Sequence, residues 1–208
     1  MDMQDKQRIL LDLQNCLQEL IHSLKNLNDI QDSYMGDTKL WAWGLTYEKW
    51  AELIKPYSRD FSRELHNYLS SFGSLCFHYF RVKNLIFKTK KSFENEFENK
   101  RKNNYTEVSK FVRELRNYSQ KHTLPMAGAG MDYIFNVKDK KDKIVLKSPL
   151  SLKTHDLLED KEVKKAYKKL KVKMESHIGE LEIMPYINQA HQEITTFYYW
   201  LSKRIREL

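Results

Sequence analysis

The sequence predicts an all-α protein, an up-and-down bundle of long helices with one small β-hairpin inserted at about 132–147. Three observations carry this. Apolar residues recur every three and four positions through long N-terminal and C-terminal stretches, the period of one helix face. A third long stretch between them keeps the same period with aromatic residues, Phe61, Tyr68, Phe72 and Tyr79. A close pair of short runs, Tyr133-Ile134-Phe135-Asn136-Val137 and Ile144-Val145-Leu146, has the β-branched and aromatic content of strands.

In chain order, Ile9, Leu10, Leu13, Leu17, Leu20, Ile21, Leu24 and Leu27 make a first helix over about residues 4–30, ended by Tyr34-Met35-Gly36-Asp37. Leu40-Trp41-Ala42-Trp43-Gly44 is a short aromatic connector, and Thr46 is placed to cap a helix over 47–54. Pro56 is expected to interrupt the pattern. From Ser58 a central core helix carries Phe61, Leu65, Tyr68, Leu69, Phe72, Leu75, Cys76 and Tyr79 toward Lys90, with Gly73 a close-packing point. Residues 88–104 are charged and read as a short helix with loops.

Asn104 or Thr106 caps the next helix, whose stripe of Val108, Phe111, Val112 and Leu115 is continued by Ser119 and His122 until Pro125 stops it. Met126-Ala127-Gly128-Ala129-Gly130 is a turn into the hairpin, whose polar loop is 138–143. Ser151 or Thr154 opens the following helix. A final long helical region runs over 161–208, kinked or broken at Pro185, with Ile187, Ala190, Ile194, Phe197, Tyr198 and Leu201 on the apolar face of its later half. The whole of 1–208 reads as one domain, with the hairpin insertion at about 131–148 and a C-terminal helical region over 154–208.

A net charge of +8 and a pI near 9.2 favour an anionic partner, whether RNA, DNA or an acidic membrane surface. Charge does not choose among these, and the lysines of 161–173 read equally well as a solvated helix face. Cys16 and Cys76 lie far apart in apolar helical patterns, which implies free buried thiols and a reducing cytoplasm. No apolar run is long enough to span a bilayer and the start lacks the features of a signal peptide, so a cytoplasmic protein with no membrane partner is expected. There is no Walker loop, no Cys-x-x-Cys and no His-Glu-x-x-His, hence no expectation of a metal or a cofactor. His78, His155, His177 and His191 are scattered singly and read as surface or satisfied core residues. His66-Asn67-Tyr68 and His78 with Arg81 lie on the helix expected beside the motif helix, and read first as polar groups pairing across helices.

Chemistry shows in Phe111-Val112-Arg113-Glu114-Leu115-Arg116-Asn117-Tyr118-Ser119-Gln120-Lys121-His122-Thr123-Leu124-Pro125. On an ideal helix Arg116 and His122 stand about 120° apart around the axis and about 9 Å apart along it. One continuous helix does not unite them, so a second element or a second subunit must complete any joint site. The spacing alone is common, and Arg59-Asp60-Phe61-Ser62-Arg63-Glu64-Leu65-His66 fits it too. A purely structural account is also open, with Arg116 in a salt bridge or cap, Asn117 bonding backbone, and His122 and Lys121 at the negative end of a helix dipole.

Leu115-Arg116-Asn117-Tyr118 followed by His122 and Leu124-Pro125 resembles the signature of HEPN-domain proteins, an all-helical family with many metal-independent RNA endonucleases, toxins and phage-defence factors. Arg63-Glu64-Leu65-His66-Asn67-Tyr68-Leu69-Ser70-Ser71, running on to Phe77-His78-Tyr79-Phe80-Arg81, looks like the preceding helix of bacterial and phage HEPN-like proteins, and extends the resemblance to about a third of the chain. The resemblance implies a HEPN-like bundle and a homodimer whose facing motifs form a composite site, with Arg116, Asn117 and His122 catalytic and Arg113, Tyr118 and Lys121 binding substrate. RNA carries its own nucleophile, the 2′-hydroxyl. Histidine can transfer the protons, Arg116 can hold phosphate oxygens, and Asn117 can orient either, leaving a cyclic phosphate.

The alternative is a non-catalytic HEPN-like module that dimerises and binds RNA, nucleotide or a protein partner, with Tyr118 and Tyr198-Tyr199-Trp200 available for contacts or for core packing. Some HEPN toxins pair with a nucleotidyltransferase antitoxin and carry a tyrosine two residues beyond the histidine. Leu124 stands there, so an antitoxin or other protein partner is left unnamed.

Overall fold

The computed structural model describes residues 3–40, 46–87, 91–127, 131–135, 143–147, 149–170 and 179–207. It is an all-α helical bundle. The helices are α1 (Met3–Gly36), α2 (Tyr47–Phe87), α3 (Lys91–Asn104), α4 (Glu107–Ser119), α5 (Thr154–Leu157), α6 (Lys161–Lys169) and α7 (Met184–Glu207). Short strands intervene, β1 (Met126–Ala127), β2 (Met131–Phe135), β3 (Lys143–Lys147), β4 (Ser151–Lys153) and β5 (Glu180–Glu182). No helix among the described residues is long and apolar enough to cross a membrane.

Helix α2 is the centre. Its period places Trp50, Ile54, Phe61, Leu65, Tyr68, Leu69, Phe72, Leu75, Tyr79, Val82 and Ile86 in the core, where it packs along α1 and against α3 and α4. Helix α7 closes the bundle on α1, α3 and α4, with Ile187, Ala190, Ile194, Phe197, Tyr198 and Leu201 all buried as the periodicity predicts. Two buried tyrosines tie α2 to α7, Tyr68 Oη donating to the Ile187 carbonyl at 3.3 Å and Tyr79 Oη to the Ile194 carbonyl at 2.9 Å. Each hydroxyl is thereby satisfied where water cannot reach it. Trp200 stacks on Phe93 with ring centroids 6.1 Å apart, a packing role, whereas Tyr199 is exposed.

Several expectations are corrected. Pro56 does not interrupt: α2 runs through it. The missing N–H would have bonded the Glu52 carbonyl, but Glu52 and Pro56 are both exposed, so water can serve that carbonyl while the buried stripe continues on either side. Helix α1 reaches Gly36 rather than residue 30, keeping Tyr34 in the core. Of the two residues expected to open the next helix, Thr154 does so, beginning α5, whereas Ser151 begins a strand, its hydroxyl donating to Glu180 Oε2 on the neighbouring strand at 2.8 Å. The expected C-terminal helical region is broken: α6 stops at Lys169, Gly179 at φ 95° and β5 precede α7, and Pro185, the expected kink or break, lies in the first turn of α7, where a missing N–H costs no intrahelical bond.

Strands β1, β4 and β5 form an antiparallel sheet that the sequence reading did not anticipate. The hairpin is where it was expected, β2 pairing β3 antiparallel from Met131 opposite Lys147 to Phe135 opposite Lys143. The aromatic connector 41–45, Val137, most of the 138–143 loop, Lys171 to Lys173 and His177 lie outside the described residues. Cys16 and Cys76 are free; Cys16 is half-buried, and burial pushes the Cys76 thiol up to about 12.

Candidate functional site

Helix α4 is mounted at both ends. At its start Thr106 Oγ1 accepts from Val108 N, the expected cap, and donates to Glu193 Oε1 of α7 at 2.6 Å. The same carboxylate accepts from Thr106 N at 3.2 Å, Ser109 Oγ at 2.6 Å and Gln189 Nε2 at 2.9 Å. Phe111, Val112, Leu115 and Ser119 form the buried stripe.

The helix ends at Ser119, six residues before Pro125, which corrects the place of His122. Ser119 Oγ donates to the Arg116 carbonyl at 2.9 Å, and the amides of Lys121 and His122 both fold back to the Tyr118 carbonyl at 2.9 Å. The chain therefore leaves the helix axis before His122 is reached, and His122 is exposed rather than on the packing face. Its ring lies against Tyr118, with centroids 4.8 Å apart and planes inclined by 37°. Beyond it Leu124 is buried and the Pro125 carbonyl accepts from Lys153 N at 2.7 Å, so the turn is held on both sides.

Arg116 goes elsewhere. Its side chain lies along α2 at Gly73, where an added Cβ would stand 2.7 Å from Nε. Nη1 donates to Asn117 Oδ1 at 3.4 Å, Asn117 Nδ2 donates to Glu114 Oε2 at 2.9 Å, and Glu114 Oε1 accepts from Arg113 Nη2 at 2.9 Å. Arg116 Nε is buried with no hydrogen-bond partner among the described residues. Arg116 and Asn117 thus belong to a local polar chain, and neither lines the grooves that His122 faces.

Opposite His122 stands α2. Arg59, Ser62, Arg63, His66 and Asn67 face residues 119–124 across an open groove of about 540 Å³. Both Arg-to-His stretches of the sequence thus contribute to one groove, a convergence that their spacing along the chain does not indicate. Two imidazoles and the charges of Arg59, Arg63 and Lys121 line it, and among the described residues no carboxylate does. Asp60 and Glu64 partner Arg59 and Arg63. Burial raises the affinity of Glu64 for a proton, but hydrogen bonds from Asn26, Asn67 and Arg63 outweigh it and hold the carboxyl below its ordinary range.

On the other side of His122 is a second groove of about 520 Å³, lined by Tyr118, Asp156, Glu159, Asp160, Lys161 and Glu162. Burial first, and then the field of Asp156, Glu159 and Asp160, raises the Tyr118 phenol. Tyr118 and His122 form the wall between a basic and an acidic groove. Among the described residues no group of three or more His, Cys, Asp or Glu is placed to hold a metal ion. No protein-family model, no curated protein and no solved structure matches the chain.

Proposed function

We propose that the protein binds RNA along the groove between α2 and the 119–124 turn and cleaves it by metal-independent transesterification, the activity the HEPN resemblance implies, with His66 and His122 rather than Arg116 and Asn117 as the reacting pair. The observation that supports this is the meeting of His66 and His122 with Arg59, Arg63 and Lys121 in one groove. One imidazole accepts the 2′-hydroxyl proton as that oxygen bonds to the adjacent phosphorus. The other donates a proton to the departing 5′-oxygen as the P–O bond breaks, giving a cyclic phosphate and a 5′-hydroxyl. The cationic side chains carry the charge that grows on the phosphate oxygens. Arg116 and Asn117 act as positioning residues for the end of α4. The homodimer implied by the family resemblance is retained in this reading, but two histidines already share a groove within one chain.

A second reading, a module that binds RNA without cutting it, is favoured by the internal bonding of Arg116, Asn117, Glu114 and Arg113, which gives the motif a structural use. End-labelled single-stranded RNA incubated with protein in EDTA separates the two. Cleavage that falls by about 100-fold in both His66→Ala and His122→Ala supports the first reading. Binding that weakens steeply with salt but leaves the RNA intact supports the second. RNA neither bound nor cut by the wild type refutes both.

A further inference from the structure

Beside the cationic groove, and sharing Asn67 with it, lies a second polar pocket of about 450 Å³ between α1 and α2. Its organising group is Glu64. Glu64 Oε2 accepts from Asn26 Nδ2 and from Asn67 Nδ2, both at 3.3 Å, while Oε1 accepts from Arg63 Nε at 3.2 Å. A carboxylate only accepts, so both amides are held with NH₂ toward Glu64 and their carbonyl oxygens left as acceptors. Glu19 lines the same pocket from α1 and is exposed, with no ion pair among the described residues. His22 lies beside Asn26, Nε2 to Nδ2 3.4 Å, and offers an aromatic face.

The pocket is therefore rich in acceptors, with a carboxylate at its rim. Among the four RNA bases, guanine presents two adjacent donors, N1–H and the 2-amino group, which a carboxylate accepts together. We infer that the pocket of Glu19, Asn26, Asn67 and His22 binds the base of a guanosine whose phosphate lies in the neighbouring cationic groove. The juxtaposition is built into one helix: Arg63 and Asn67 are bonded to the same carboxylate, so the phosphate-binding and base-binding groups are fixed relative to each other.

This rests on the RNA-binding reading. It is tested with fluorescein-labelled 2′-O-methyl oligoadenylates, which lack the nucleophilic hydroxyl and so cannot be cut, carrying guanosine, inosine or adenosine at one internal position, their affinities read by anisotropy. Guanosine is expected to bind about tenfold more tightly than adenosine, with inosine, which lacks the 2-amino group, in between. Glu19→Gln and Asn67→Ala are expected to erase the difference, while thermal melting reports whether each variant is folded. Equal affinity for the three oligonucleotides, or a guanosine preference that survives in folded Glu19→Gln, overturns the inference and leaves RNA binding standing. Failure to bind any of them overturns the RNA reading itself.

Discussion

Replacing Glu193 with alanine tests how α4 is held. The carboxylate accepts four hydrogen bonds, two of them at 2.6 Å from hydroxyls, and Ser109, one of these donors, is fully buried. With Glu193 gone, Thr106 and Gln189 can turn to water, but the Ser109 hydroxyl is left unpaired, at about 1–3 kcal/mol. Loss of a negative charge at the α4 N-terminus adds about 0.3–1 kcal/mol. Together with the weakened cap the total is about 3 kcal/mol, which in a chain of this length lowers Tm by about 6–12 °C. Urea and thermal denaturation followed by circular dichroism measure it. In a double-mutant cycle with Ser109→Ala, Glu193→Ala should cost about 1 kcal/mol less than in the wild type, because no hydroxyl is stranded. A loss below about 0.5 kcal/mol, or strict additivity in the cycle, would refute the account of how α4 is anchored.

Gly73→Ala should lower stability by about 1 kcal/mol with Arg116 present and raise it by about 0.5–1 kcal/mol in an Arg116→Ala background, since the helix gains from alanine once the guanidinium is removed; paired urea titrations check the change of sign. His191, half-buried with Nδ1 unpartnered among the described residues, has its pKa lowered by burial. The folded state therefore takes a proton less readily than the unfolded, so its contribution is present above about pH 6.5 and lost as pH falls through the histidine range, and His191→Gln should flatten the stability profile there. Arg63→Ala should reduce the salt slope of RNA binding by about 1, whereas Arg116→Ala, outside the groove, should leave it unchanged in gel shifts at varied salt.

Much of the bundle is written in local pattern. The stripes of α1, α2 and α7 are legible because core burial selects apolar residues at the helical period, and the Thr106 cap because its hydroxyl meets a local amide. The end of α4 is not legible in the sequence because periodicity carries a stripe past Ser119 without registering the side-chain and backbone bonds that turn the chain at Tyr118 and Arg116. Strands β4 and β5 have three residues each, too few to show a period. The groove is half visible. His122 and the Arg59-to-His66 stretch were both identifiable as chemistry, but which residues of α2 face the turn is set by how helices distant in sequence pack, and one chain's residue order does not state that.

The wall formed by Tyr118 and His122 separates two surfaces of opposite sign. A polyanion seated on one flank meets repulsion from Asp156, Glu159, Asp160 and Glu162 if it slides across, over a range of about 8 Å at physiological ionic strength. Lateral position is thus set by a push from behind as well as a pull from in front, without any contact to the repelling side chains. Added salt would relax both together, so the molecule should lose its discrimination of where a strand lies at the same ionic strength at which it loses its grip.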